Sequence, residues 1–192
     1  MLTRRNLLKR ACATSAWLVA SPTLDAQLRR VLDEPGERLI QYVDPFIGTG
    51  GHGHTFPGPT VPSGLVQLSP DSGKQGWDWC AGYHYSDTEI AGFSHTHVSG
   101  TGIGDLCDIS VMPVLAGREM PETVKSPFSH DREKASAGYY AVDLLANDIK
   151  VELTATRRVG IHRYRFPRWI PARPPAVAFD LGLHDLHPEI LR

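Results

Sequence analysis

Alternation of apolar and polar positions is clearest in the second half of the chain. Tyr140, Val142 and Leu144 fall on one face of a strand, and Val151, Leu153 and Ala155 on one face of the next. Asn147-Asp148 between them has the chemistry of a hairpin turn. His162, Tyr164 and Phe166 continue the alternation, and Ala176–Leu181 reads as a further strand. Apolar runs in the first half are short: Leu65–Leu68, then Ile109–Leu115, which Pro113 interrupts. Arg118–Ala137 is polar, carries Pro121 and Pro127, and predicts a long surface loop. Short strands set apart by Gly, Pro and Asp, with few helical periods and no internal repeat, predict an all-β chain, an antiparallel sandwich or barrel. The 18 glycines and 15 prolines among 192 residues favour the same class.

Charge narrows the partners. Lys and Arg total 20 against 21 acidic residues, a net charge of -1. No basic excess points to nucleic acid, and no polybasic run points to a membrane surface. The N-terminus departs from the rest: Thr3-Arg4-Arg5-Asn6-Leu7-Leu8-Lys9 fits the twin-arginine export pattern, followed by a mildly apolar core over Ala11–Ala20. Ten such residues are too few to span a bilayer of about 30 Å, so the segment reads as a signal rather than an anchor. We assign residues 1–26 to this signal, with cleavage after Ala20 or Ala26, and residues 27–40 to a linker or short helix. Periplasmic or extracellular localisation follows. Cys80 and Cys107 remain after cleavage. Pairing would close a loop of about 27 residues and stabilise the fold by about 3.5 kcal/mol in the chain-entropy view; two buried thiols are the alternative.

Candidate chemistry is concentrated between Asp44 and Pro113. Trp77 and Trp79 flank Asp78, and indole faces stack on the apolar faces of sugar rings while carboxylates and imidazoles bind hydroxyls. In an extended segment both indoles would point to one side. The pairs His52/His54 and His95/His97 likewise share a face if extended. Such spacing suits a three-histidine metal site, but hydrogen-bonding histidines in a polar cleft are the preferred reading. The glycines of 48–51 and 100–104 lack the Lys-Ser/Thr ending of a phosphate-binding loop, and tight turns explain them better. Asp71, Asp78, Asp87, Asp105 and Asp108 single out no acid–base pair by spacing.

The motifs "VDPFIGTGGHGHTFPG", "GLVQLSPDSG", "GWDWCAGYHYSD", "IAGFSHTHVSGTG" and "GDLCDISVMPV", in this order, resemble the N-terminal domain of glycoside hydrolase family 92, the calcium-dependent exo-α-mannosidases. The later stretch from Phe128 to Pro167 fits the same family. The resemblance implies an antiparallel β-sandwich over residues 41–192, incomplete at its C-terminus and preceding an (α/α) toroid. It implies that the toroid supplies the catalytic carboxylates and most calcium ligands, so no catalytic residue and no metal ligand is assigned in this chain. It also implies inverting hydrolysis of α-mannosides of N-glycans or mannans, with the sandwich lending sugar-contacting loops. The carbohydrate-binding residues expected here are Trp77, Asp78, Trp79, His95 and His97. The expected partners are an α-mannoside and the missing helical catalytic domain. A stand-alone carbohydrate-binding module and a histidine metalloenzyme on a jelly roll are the alternatives.

Overall fold

A computed structural model describes residues 39–104, 106–117, 124–168 and 172–180. The expected signal at 1–26 and nearly all of the 27–40 segment lie outside these residues. From Tyr42 onward the chain forms one compact unit. Its strands are β1 (Ser69–Asp71), β2 (Glu89–Ile90), β3 (Gly92–Ser94), β4 (Ser110–Leu115), β5 (Ser126–Pro127), β6 (Glu133–Ser136), β7 (Tyr139–Leu144), β8 (Ile149–Ala155), β9 (Gly160–Arg165) and β10 (Pro175–Asp180). One sheet has the order β1-β3-β4-β10, a second is the meander β6-β7-β8-β9, and β2 pairs with β5. Every pairing is antiparallel, and the expected all-β sandwich is what forms. Among the described residues no helix is long and apolar enough to cross a membrane.

The meander follows from the alternation. Val142 stands opposite Val151, Tyr140 opposite Leu153 and Leu144 opposite Ile149. All six are buried, and they meet Phe93, Met112 and Val114 of the first sheet in one cluster. Each fully buried aliphatic side chain of this kind contributes about 2 kcal/mol relative to exposure. The turn between β7 and β8 puts Asp148 at φ 53°, a left-handed conformation that Asp tolerates. On β9, His162 and Tyr164 are half-buried while Ile161, Arg163 and Arg165 face out.

Three expectations need correction. Leu65–Leu68 forms no strand of its own: Gln67 makes an isolated bridge to Thr60, while Val66 and Leu68 drop into the core. The run ending at Leu115 passes unbroken through Pro113; β3 pairs with β4 at Val111 only, so the proline lies beyond the doubly bonded part of the strand. The supposed loop Arg118–Ala137 contains β5 and β6. Hydrophobic patterning misses β6 because its inward residue is Glu133, whose carboxylate accepts hydrogen bonds from Tyr140 (2.6 Å), Tyr83 (3.0 Å) and His130 Nδ1 (2.6 Å). A buried charge so fully bonded replaces the apolar residue that the pattern looks for. Cys80 and Cys107 are both unpaired thiols, the first buried and the second half-buried.

Candidate functional site

Trp77–Trp79 forms a single 3-10 turn entered from Gly76 at φ 137°. Successive residues of such a turn are about 120° apart, so Trp77 and Trp79 diverge rather than sharing the side that an extended segment would give them. Trp77 is 57% exposed. His54 meets the indole edge-on at a centroid distance of 4.3 Å, and His52 lies 4.9 Å away. Between the two rings sits Asp78. His52 Nδ1 donates to Asp78 Oδ1 at 2.6 Å, and this bond holds the Asp78 carboxyl below the usual carboxylate range. His54 Nε2 lies 3.8 Å from the same oxygen, is buried, and has no hydrogen-bond partner. Buried polar atoms are nearly always paired, so this nitrogen has an unmet demand beside an exposed aromatic face.

Two loops fix this arrangement. His54 adopts φ 53°, and its carbonyl accepts from Gly100 N at 2.7 Å. Gly102, at φ 66°, lies against the Trp77 indole. Residues 52–54, 76–79 and 100–102 therefore converge. An open indole face, an ionised carboxylate and an unsatisfied imidazole nitrogen together suit a ligand with one apolar face and several hydroxyls.

Trp79 serves another arrangement. Its Nε1 donates to Asp87 Oδ1 at 2.9 Å, Lys74 Nζ reaches the same oxygen at 2.8 Å, and Asp87 Oδ2 accepts from His84 N at 2.9 Å. Lys74 Nζ also stands 5.3 Å from the centre of the indole. Trp79 borders a cavity of about 130 Å³ that Asp71, Cys80 and Cys107 also line.

Of the five residues expected to bind sugar, Trp77 and Asp78 form the exposed surface. His97 is turned inward: its Nδ1 donates to the Gln67 carbonyl at 2.7 Å, and its Nε2 lies 2.8 Å from Asp71 Oδ1. His95 Nδ1 donates to the Ile109 carbonyl at 2.9 Å, leaving Nε2 to accept from His162 Nε2 at 3.2 Å. His162 Nδ1 in turn accepts from the Tyr164 hydroxyl at 2.7 Å. Burial, reinforced by His95, pushes the His162 imidazole down to about 4. His52 and His54, absent from the expected binding set, are the histidines that stand beside Trp77; their His-x-His spacing was the available signal.

Among the described residues one group of potential metal ligands stands together: Asp71, His97 and Cys107. Its mixed oxygen, nitrogen and sulfur donors do not fit calcium, which takes about six to eight oxygen ligands.

Comparison with known proteins agrees with the motifs. The family model for the glycosyl hydrolase family 92 N-terminal domain matches residues 42–188. An uncharacterized secreted glycosidase of Arthroderma benhamiae is 30% identical over 166 residues, covering 80% of this chain and 21% of that protein. A family GH92 α-mannosidase from Bacteroides thetaiotaomicron, solved in complex with mannoimidazole, superposes with a TM-score of 0.65 at 40% identity, over 68% of this chain and 18% of that one. A family GH92 inverting mannosidase from the same organism gives a TM-score of 0.60 at 28% identity, over 77% and 20%. The chain spans about a fifth of the length of these relatives.

Proposed function

The chain belongs to glycosyl hydrolase family 92, whose N-terminal domain it carries, and we propose that it serves an exported, inverting exo-α-mannosidase by lending the sugar pocket its Trp77 surface. One observation carries this reading: an exposed indole flanked by the Asp78 carboxylate and by a buried His54 nitrogen without a partner. A mannose ring laid on Trp77 would offer hydroxyls to both. Asp78, held ionised by His52, would accept from one hydroxyl, and His54 Nε2 would complete its hydrogen bonding with another.

Inverting hydrolysis requires two carboxyl groups about 6.5–9.5 Å apart across the scissile bond, one to protonate the leaving oxygen and one to activate water. On this reading both come from a helical partner domain, together with most of the calcium ligands; among the described residues, the donor set at Asp71, His97 and Cys107 does not suit that ion. The similarity to a protein described as an inverting mannosidase supports the stereochemistry, and the similarity to one described as an α-mannosidase supports an α-mannoside as substrate. Export rests on Arg4-Arg5 with Leu7-Leu8-Lys9, alongside a relative named as secreted.

The test replaces Trp77 by Ala in a chain that also carries the helical domain and measures hydrolysis of α-linked mannobiosides. A folded variant with full activity places the sugar elsewhere. For export, Arg4→Lys with Arg5→Lys should retain the protein in the cytoplasm; unchanged delivery of the double variant would refute the twin-arginine route.

A further inference from the structure

Asp71 ends β1, His97 lies in the segment after β3, and Cys107 lies in the segment before β4. One ligand atom from each falls within 4.8 Å of the others. The hydrogen bonding around His97 fixes its tautomer. Nδ1 is 2.7 Å from the Gln67 carbonyl, which only accepts, so Nδ1 carries the proton. In a neutral ring Nε2 then presents a lone pair, and it presents it to Asp71 Oδ1 at 2.8 Å, another acceptor. Both residues are buried. Ser94 Oγ, 3.1 Å from Nε2, and the Cys107 thiol, hydrogen-bonded to Asp71, supply protons to these two acceptors, and a cation that displaced the thiol proton would bridge all three side chains. The other carboxylate oxygen, Asp71 Oδ2, is already held by Ser94 N at 3.0 Å, which orients Oδ1 toward the ring. A histidine whose far nitrogen donates to a backbone carbonyl has the orientation of a metal ligand.

Cys107 completes the set. A Cβ built on Gly82, itself at φ 80°, would fall 2.3 Å from Asp71 Oδ1, 3.0 Å from Cys107 Sγ and 3.1 Å from His97 Cδ2. One backbone point thus borders all three side chains, and only glycine leaves them room. We propose that Asp71 Oδ1, His97 Nε2 and Cys107 Sγ bind a divalent transition-metal ion of zinc's kind. Oxygen, nitrogen and sulfur in a three-residue set suit such an ion, and the cavity of about 130 Å³ bordered by Asp71 and Cys107 has room for water as the fourth ligand. The ion fastens Cys107, which follows the glycine-rich 100–104 segment in the chain, to β1. Gly102 of that segment abuts Trp77, so occupancy steadies the aromatic surface without touching its ligand.

The test strips the full, reduced 192-residue chain with a chelator and titrates it with Co²⁺, then Zn²⁺. The expected result is a thiolate-to-cobalt charge-transfer band in the near ultraviolet, saturating at one equivalent and abolished by Zn²⁺, with a rise in melting temperature. Cys107→Ser should lose the band, and Cys80→Ser should keep it. Where Cys107→Ser fails to fold, the parent protein still decides: Zn²⁺ should protect Cys107 from alkylation, mapped by mass spectrometry. No band and no protection in the folded parent would overturn the proposal and leave the Ser94 and Cys107 hydrogen bonds in its place. A band that depends on Cys80 and survives Cys107→Ser would overturn it equally.

Discussion

A Cβ on Gly102 would stand 2.7 Å from the indole nitrogen of Trp77, so the position of one residue is set by the smallness of the other. Trp77 is exposed and its ring can move, so Gly102→Ala should displace the indole rather than the backbone of the 76–79 turn. The left-handed φ of 66° adds strain of about 1 kcal/mol for alanine. In a chain that also carries the helical domain, we expect a raised KM for mannosides and altered Trp fluorescence in a protein that still folds; unchanged KM would separate Trp77 from the sugar.

The two tryptophans should part company on mutation. Trp77→Ala removes an exposed ring, so stability should shift by less than about 0.5 kcal/mol while mannoside hydrolysis loses about 1–2 kcal/mol of sugar stacking. Trp79→Ala removes a hydrogen bond to the buried Asp87 carboxylate and should cost about 2–3 kcal/mol of stability. Urea unfolding of both variants, alongside mannoside hydrolysis by chains that also carry the helical domain, checks the split.

Glu133 holds the meander to the loop that follows the tryptophans. Glu133→Ala leaves the buried hydroxyls of Tyr83 and Tyr140 without their acceptor and should destabilise by about 3–5 kcal/mol. Glu133→Gln keeps one acceptor oxygen and should cost less. Equilibrium denaturation of the two variants gives the order, and a milder loss in the Ala variant would contradict it.

Acid stability should depend on His162. Its imidazole titrates near 4 in the folded protein against 6.5 for an ordinary histidine, so the unfolded chain takes up its proton first. The resulting stabilisation is present in full above about 6.5 and is lost as pH falls from there towards 4. His162→Gln should flatten the stability profile across that window, measured as melting temperature against pH.

The sandwich by itself should bind mannosides without cleaving them. On the proposed reading the two carboxyl groups of inverting hydrolysis belong to the helical domain. The assay is mannose release from α-linked mannobiosides by the pure 192-residue chain with calcium added. Release at rates near those of a two-domain relative would place the chemistry in this domain.

What the sequence makes legible here is decided by which residues carry the pattern. β7 and β8 announce themselves because Tyr140, Val142, Leu144, Val151 and Leu153 alternate and all point inward. β1 and β3 do not, because their buried positions include Ser69, Asp71 and Ser94, whose inward polar groups hide a strand from any count of apolar residues. The Trp77-Asp78 pair was visible from residue type alone. The 3-10 turn that separates Trp77 from Trp79 was not, and neither was the inward turn of His97. Asp71, His97 and Cys107 meet only through the tertiary fold, across sequence distances that no short motif spans.

The order of strands also has a temporal consequence. Within the meander each strand pairs with its neighbour in the chain, so those pairings close short loops and form early. β4 is different: Ser110 pairs with Asp180 and Leu115 with Pro175, so this ladder must wait until β5 to β9 have been made and folded aside. A growing polypeptide would carry β4 with one bare edge through the synthesis of that whole stretch. Its buried residues Val111, Met112 and Val114 would stay incompletely covered during that interval, leaving an apolar strand edge open to misassociation.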